Sequence, residues 1–388
     1  MDLLEYQGKE LFARHGVAVP SGKVAAEVEH AVVAAEEIGY PCAVKAQVLI
    51  GGRGKAGGIK IVNDADEARE AAEAIIGMDI SGPRGEGPFR VDQVWIEGGS
   101  DIEAEYYASV ILDRSEKKTL VMLSTTGGMN VEEIAETDPD ALVRRHVDPN
   151  GGFGEAEATE IAEAAGVPAE HVAATADLLV KLHEAYEAED ATLIEVNPLV
   201  VTKGGEIVAL DSKVTIDPSA LFRHPELDEL SNSMHDDPQE EMAAERGLTY
   251  VKLDGDIGIL GNGAGLCMST LDVVAQAGGA PANFLDAGGG SKAEAIVDAL
   301  EVISSDPKVK AILFNIFGGI TRCDEVASGI IEASKKVGLE VPLVVRLDGT
   351  NSEEGLKMLD EAGLEQLQVE KTMLGAAAKV VELAKAGG

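Results

Sequence analysis

Apolar residues recur at three- and four-residue spacing in "LLEYQGKELFARHG" (residues 3–16), "AEVEHAVVAAEEIG" (26–39) and "DADEAREAAEAIIG" (64–77), and this spacing predicts amphipathic helices. Glycine follows the periodic stretch each time and stops it. Between and after these helices lie short runs rich in β-branched and aromatic residues: "PCAVKAQVLI", "GIKIVN", "QVWIEGG", "EYYASVILD" and "TLVMLSTTGG". They read as strands, with Lys45 inside the first. A long helix follows at "ADLLVKLHEAYEAED".

The stretch "ATLIEVNPLVVTKGGEIVALDSKVTID" (191–217) reads as two strands around a turn at Lys203–Gly205. A three-residue turn pairs Thr202 with Glu206 and, counting back, sets Asn197 opposite Asp211 on one face. A two-residue turn at Gly204–Gly205 sets them on opposite faces unless a bulge near Pro198 restores the register.

The pattern changes at about residue 237. Strands "DIGILGN", "ANFLDA", "AILFNIF", "PLVVRLD" and "EQLQVE" each lead into a glycine-containing turn and a helix, which predicts an open parallel sheet of flavodoxin-like type. The fold class is therefore mixed α+β and α/β, in two domains, 1–236 and 237–388. Open parallel sheets bind ligands at the carboxyl ends of their strands, where Asn262, Gly288–Gly290 and Gly318–Thr321 lie. Gly261-Asn262-Gly263 begins like a dinucleotide fingerprint, but Leu266 takes the place of the third glycine, which disfavours a nicotinamide dinucleotide.

Composition sharpens this picture. The chain carries 69 Asp plus Glu against 32 Lys plus Arg, a net charge of −37. The acids are spread over helix surfaces, so the protein repels nucleic acid and anionic membranes. A halophilic source would explain the excess, because concentrated salt screens self-repulsion. No apolar run spans a bilayer and no export signal opens the chain, so the expected location is cytoplasmic. Cys42, Cys267 and Cys323 lack metal-ligand spacing and read as small buried residues.

Against this acidity, the 26 residues from Ile38 to Asn63 contain no Asp or Glu but hold Lys45, Arg53, Lys55 and Lys60 among five glycines at 51, 52, 54, 57 and 58. Such a loop can bring backbone N–H groups and cations to a phosphate. The alternative is a hairpin loop with solvated cations. A Walker A loop is excluded, since Ala56 follows Gly54-Lys55 and Leu49 stands where the first glycine belongs. Glu195, Asn197 and Asp211 would supply hard oxygen ligands for Mg²⁺. The structural alternative there is a Glu195–Lys213 cross-strand ion pair.

A strand lysine beside a glycine-rich hairpin, followed by a strand ending in Glu97, resembles the ATP-grasp fold. Together, "LLEYQGKELFARHG", "GGRGKAGG", "IEVNPLVVTKGGEIVALDSK", "DGDIGILGNGAGL", "PANFLDAGGG", "NIFGGITRCD" and "VPLVVRLDGTN" resemble, in order and spacing, the β subunits of succinate–CoA ligase. The resemblance implies an N-terminal ATP-grasp domain and a C-terminal CoA-ligase domain. It implies a ligase of the tricarboxylic acid cycle that couples succinyl-CoA cleavage reversibly to ATP or GTP formation, a substrate-level phosphorylation. The expected partners are an α subunit that carries the CoA site and a phosphohistidine, together with succinate, CoA, nucleotide and phosphate; one Mg²⁺ per subunit is expected.

Carried over by motif, Lys45, Gly52, Arg53 and Gly54 hold nucleotide phosphates, while Glu97, Ser100 and Glu105 hold the nucleoside end. Asn197 and Asp211 hold magnesium, and Glu195 orients the incoming imidazole. Asn262, Gly319, Ile320 and Thr321 contribute to the succinate site. Thr321 stands where many relatives carry Val, which leaves a related ligase of a hydroxylated four-carbon acid such as malate as one alternative. A non-catalytic nucleotide or CoA sensor is the other. On this reading Lys45→Ala lowers phosphorylation of the α subunit by orders of magnitude while the fold stays intact.

Overall fold

A computed structural model describes residues 1–82, 87–128, 138–232, 237–290, 292–338 and 341–386. The chain divides into two compact units, Met1–Asp228 and Glu229–Gly388. The expected boundary at 236/237 adjoins residues 233–236, which lie outside the described ones.

The first unit holds two antiparallel sheets. One has the order β1 (Gly22–Ala25), β6 (Val94–Gly98), β2 (Cys42–Ala46), β3 (Ile59–Val62), and a separate small ribbon joins β4 (Asp79–Ile80) to β5 (Phe89–Arg90). Helices α2 (Val28–Ile38) and α3 (Ala65–Ile75) carry their small residues Ala31, Ala35, Ala68 and Ala72 into the same core as Val44 and Ile96. Alanine faces let a helix lie close to a sheet, and burial of the β-branched side chains supplies the driving force. Asp64 accepts from Glu67 N and fixes the start of α3.

The other sheet runs β11 (Ile207–Ala209), β10 (Ala191–Thr202), β7 (Ile102–Asp113), β8 (Lys118–Ser124), β9 (Val143–His146), and β12 (Lys213–Ile216) also pairs with β10. Helices α4 (Glu155–Ala164) and α5 (Ala169–Ala188) pack against each other and α5 against this sheet. The β10–β11 turn is the three-residue form: Thr202 N donates to Glu206 O at 2.9 Å, and Gly205 has φ +80°. Leu199 pairs with Ala209 and Glu195 with Lys213, so one register runs through both and sets Asn197 across from Asp211. The pairing to β7 shifts between Val196 and Leu199, a bulge at Asn197–Pro198.

Helix α1 (Glu5–Arg14) lies against β12, and Leu3 N donates to Val214 O at 2.9 Å just ahead of it. Gly8 makes the approach possible. A Cβ there would stand 2.5 Å from Ser212 Oγ, the hydroxyl that donates to Glu5 O at 2.7 Å.

The second unit is a six-stranded sheet in the order β13 (Thr249–Lys252), β15 (Asn283–Asp286), β14 (Ile257–Gly261), β16 (Ala311–Gly318), β17 (Leu343–Gly349), β18 (Leu367–Val369). Among the five parallel strands this is the flavodoxin-like order 2-1-3-4-5, as expected, with β13 added antiparallel to β15. Alternate residues of a strand serve opposite cores: Leu260, Phe314 and Val345 face one, Ile259, Leu313 and Val344 the other. Burial on both faces is why these strands read as unbroken apolar runs. The three cysteines are buried and free, and burial pushes the Cys267 thiol up to about 12. Among the described residues no helix is long and apolar enough to cross a membrane.

Candidate functional site

The basic window does not stay in solvent. Lys55 and Lys60 are exposed, but Lys45 and Arg53 are each only 6% accessible. Lys45 comes from the middle of β2, where every residue is buried. Arg53 sits in a loop of consecutive turns between β2 and β3, closed by Gly58 N donating to Arg53 O at 2.9 Å. Gly58 permits that closure, since a Cβ there would meet Ile80 Cδ1 at 2.8 Å and Ala46 Cβ at 3.1 Å. The loop is therefore a wound knuckle. Gly52 and Gly54 lie exposed on it.

The carboxylates that meet these cations come from outside the acid-free window. Lys45 Nζ lies 3.0 Å from Glu5 Oε1 and 2.7 Å from Glu97 Oε1, and donates to Leu210 O at 2.9 Å. Arg53 Nη1 donates to Glu5 Oε2 at 2.6 Å and to Ala46 O at 3.0 Å, and Nη2 reaches both oxygens of Asp211 at 3.0 and 3.3 Å. Lys9, one helical turn after Glu5, pairs with Glu5 at 2.7 Å and with Glu97. Three cations and three carboxylates thus close a neutral buried cage within the first unit.

Its electrostatics follow from burial set against pairing. Desolvation alone would raise the Glu5 pKa, but Lys45, Arg53 and Lys9 together hold it well below the ordinary carboxylate range. Burial lowers the pKa of Lys9, helped by the neighbouring Lys45 charge. For Lys45 the Glu5 and Glu97 charges outweigh desolvation and raise it. Asp211 is raised, chiefly by desolvation and against the pull of Arg53. Its side chain is still 34% accessible where that of Arg53 is 7%, so this edge of the cage opens to solvent.

Glu5 and Lys9 were invisible to motif reasoning. One signal for them is present: residues 5, 9 and 12 share a helical face, and Phe12 on that face is fully buried. Glu97, expected at a ribose or base edge, has Lys9, Lys45 and the Trp95 indole as its partners and is 1% accessible. Ser100 lies outside the cage and lines a cavity of about 400 Å³ with Pro20, Gly98, Gly99, Thr202 and Glu206. Glu105 is exposed on β7, and its carboxylate comes close to Gly128.

Glu195 and Asn197 share the half-exposed face of β10, between the buried Ile194, Val196 and Leu199. Tyr107 Oη donates to Glu195 Oε2 at 3.1 Å, and Gly128 N donates to Asn197 Oδ1 at 2.9 Å. With Asp211 across the strand pair, the group is an all-oxygen set of carboxylate and amide, the chemistry that suits Mg²⁺.

In the second unit the expected residues meet at the carboxyl ends of β14 and β16, the point where strand order reverses. Asn262 Nδ2 donates to Phe317 O at 2.9 Å and to Thr321 Oγ1 at 3.3 Å, while its Oδ1 accepts from Phe317 N at 2.9 Å. Gly290 N donates to Thr321 Oγ1 at 3.0 Å. Asn262 and the buried Thr321 thus brace the turn, and Gly319 and Ile320 are presented on its outside, Ile320 at 86% accessibility.

Comparison with known proteins bears on both units. The ATP-grasp domain model matches residues 2–201 and the CoA-ligase model residues 260–381. The chain is 53% identical over 388 residues to the succinate–CoA ligase (ADP-forming) subunit beta of Rubrobacter xylanophilus, covering 100% of both chains. To the protein of the same name from Natronomonas pharaonis it is 50% identical, covering 99% of each. In fold it is similar to ATP citrate lyase from Methanothrix soehngenii, with a TM-score of 0.77 at 19% identity and 99% coverage of both chains.

Proposed function

The chain belongs to the family of ADP-forming succinate–CoA ligase β subunits, and we propose from that premise that its buried cage is the phosphate end of an ATP site. The single observation that carries the function is identity of about half of all positions, through both units, with ligases of that name. The protein is an acid–thiol ligase subunit that works with an α subunit and couples succinyl-CoA cleavage to ATP formation.

The cage suits this work because it stores cations already desolvated. A triphosphate arriving at the Asp211 edge exchanges its oxygens for carboxylates on Arg53 and then on Lys45, so little new desolvation is needed. Positioning and charge neutralisation are what phosphoryl transfer asks of a protein. Lys9 and Glu97 stay behind as the frame that aims Lys45. Asn197 and Asp211 would hold Mg²⁺, which when bound neutralises phosphate charge. The wound loop at Gly52–Gly54 covers the phosphates, and Ser100 and Glu105 take the nucleoside side.

In the synthetic direction the bond from the γ-phosphorus to the ADP oxygen breaks as one forms to an imidazole nitrogen of the α subunit. Glu195, held by Tyr107, orients that imidazole through its carboxylate. The phosphoryl group then passes to succinate at the second unit, where Gly319 and Ile320 lie exposed, and CoA displaces phosphate. The Thr321 hydroxyl accepts hydrogen bonds from Asn262 Nδ2 and Gly290 N. The residue that kept a hydroxylated acid open is turned inward, which favours succinate.

The test is reconstitution with the α subunit and an acid panel, measuring thioester formation and ADP release. Succinyl-CoA formed fastest supports the reading. Preference for malate moves the assignment to the related ligase, and ATP binding without any thioester moves it to a sensor.

A further inference from the structure

A second charged cluster lies in the first unit, about 15 Å along the axis of α1 from Glu5. It gathers the end of α1, the end of α5 and the start of a helix α6 (Pro225–Asn232). Glu189, the residue that ends α5, has its Oε1 2.8 Å from His15 Nε2 and its Oε2 3.8 Å from His224 Nδ1. Glu226 follows two residues after His224, and one ligand atom from each of Glu189, His224 and Glu226 lies within 4.8 Å of the others. The side chains of Glu189 and His224 are both 12% accessible, so these are held groups and not loose surface acids.

The other ring nitrogen of His224 decides what the cluster is for. Nε2 lies 2.8 Å from Asp190 Oδ2, and Arg223 steadies the same carboxylate at 2.6 Å through Oδ1. A carboxylate accepting Nε2–H leaves Nδ1, 3.8 Å from Glu189 Oε2, as the ring nitrogen a metal can take, the carboxylate–histidine arrangement that supports a metal-bound imidazole.

We propose that Glu189, His224 Nδ1 and Glu226 form a binding site for a divalent transition-metal ion of the zinc class. One imidazole nitrogen and two carboxylate oxygens leave a fourth tetrahedral position for water, and the imidazole selects against Mg²⁺ and Ca²⁺. The two carboxylates balance the dication. Arg14 now lies 3.5 Å from Glu189 and 4.0 Å from Glu226 with half of its side chain in solvent, and it leaves as the ion enters. The bound ion ties α5 to α6, with α1 held to the same carboxylate through His15. It is a staple at the far end of the helix that carries Glu5 and Lys9.

Cobalt titration of the purified full-length chain tests this, read by visible d–d absorption in about 1 M KCl, which screens diffuse attraction to a protein of net charge −37. One equivalent should bind and be displaced by Zn²⁺ but not by excess Mg²⁺. His224→Ala and Glu226→Gln should each weaken binding by at least about tenfold, and Asp190→Asn by about tenfold through the ring nitrogen it holds. Glu226 is exposed, so Glu226→Gln keeps the test decisive if His224→Ala fails to fold. Absence of a saturable band in the unaltered protein overturns the proposal. So does a band unchanged in Glu226→Gln.

Discussion

Arg53 and Asp211, 158 residues apart in the chain, meet with Nη2 3.0 and 3.3 Å from the two carboxylate oxygens. A residue proposed to hold phosphate therefore rests on one proposed to hold magnesium. Ligand entry and separation of this pair are one event: as the carboxylate turns to a cation, the guanidinium is released to an anion.

Arg53→Lys tests that exchange. Lysine keeps the charge but loses the fork that spans Glu5 and Asp211. Mg-ATP affinity should fall about 10- to 100-fold, the worth of one or two charged hydrogen bonds, with the fold retained. Calorimetric titration measures it, and unaltered affinity would remove Arg53 from the site.

The sequence alone predicts that Lys45→Ala lowers phosphoryl transfer by orders of magnitude and spares the fold. Its burial and its pairing with Glu5 and Glu97 revise that expectation. The variant leaves two buried carboxylates short of a cation, and breaking a buried pair this way costs about 3–5 kcal/mol. Both denaturant stability and labelling of the α-subunit histidine should drop. A variant as stable as the parent would show that the cage relaxes more readily than its burial suggests.

Glu5→Gln separates cage stability by pH. The folded pKa of Glu5 is depressed, so its contribution is complete above the unfolded value of about 4.3 and fades as pH falls through the folded one. The stability gap between parent and variant should be flat above about pH 5 and shrink in stronger acid. Urea melts across that range measure it; a gap that widens on acidification contradicts the sign.

The net charge of −37 carries its own prediction. Screening shortens the Debye length from about 10 Å at 0.1 M to about 3 Å at 1 M, so the melting temperature should climb through a KCl series. The cage, neutral and buried, is nearly blind to salt; the gain comes from the acidic helix surfaces. A flat series would leave the acidity without this explanation.

What the sequence made legible follows from the range of each signal. The doubly wound sheet was readable because its central strands β14 and β16 carry long buried apolar runs and each parallel strand is followed by its own helix. The Asn197–Asp211 register was readable because a three-residue turn with glycine at its end fixes every pair behind it. Short edge strands were not: "GKVA", "VRRH" and "TYVK" become strands only beside their neighbours β6, β8 and β15. The cage was half readable. Lys45 and Arg53 stand out as cations in an acid-free window and Asp211 as an oxygen ligand opposite Asn197, while Glu5 and Lys9 have only the four-residue spacing of an ordinary helical ion pair. Only tertiary packing makes them interior.

The hydrogen atom at position 8 has a bearing on engineering. Variant libraries meant to retune nucleotide choice would naturally randomise residues 51–58 and leave the first helix alone. Yet any side chain at Gly8 would push on Ser212 Oγ, break its bond to the Glu5 carbonyl and lift the helix that delivers two of the six cage charges. Screening designs are better served by freezing that position and varying the solvent side of the helix, since the fit there constrains the pocket as firmly as the loop does.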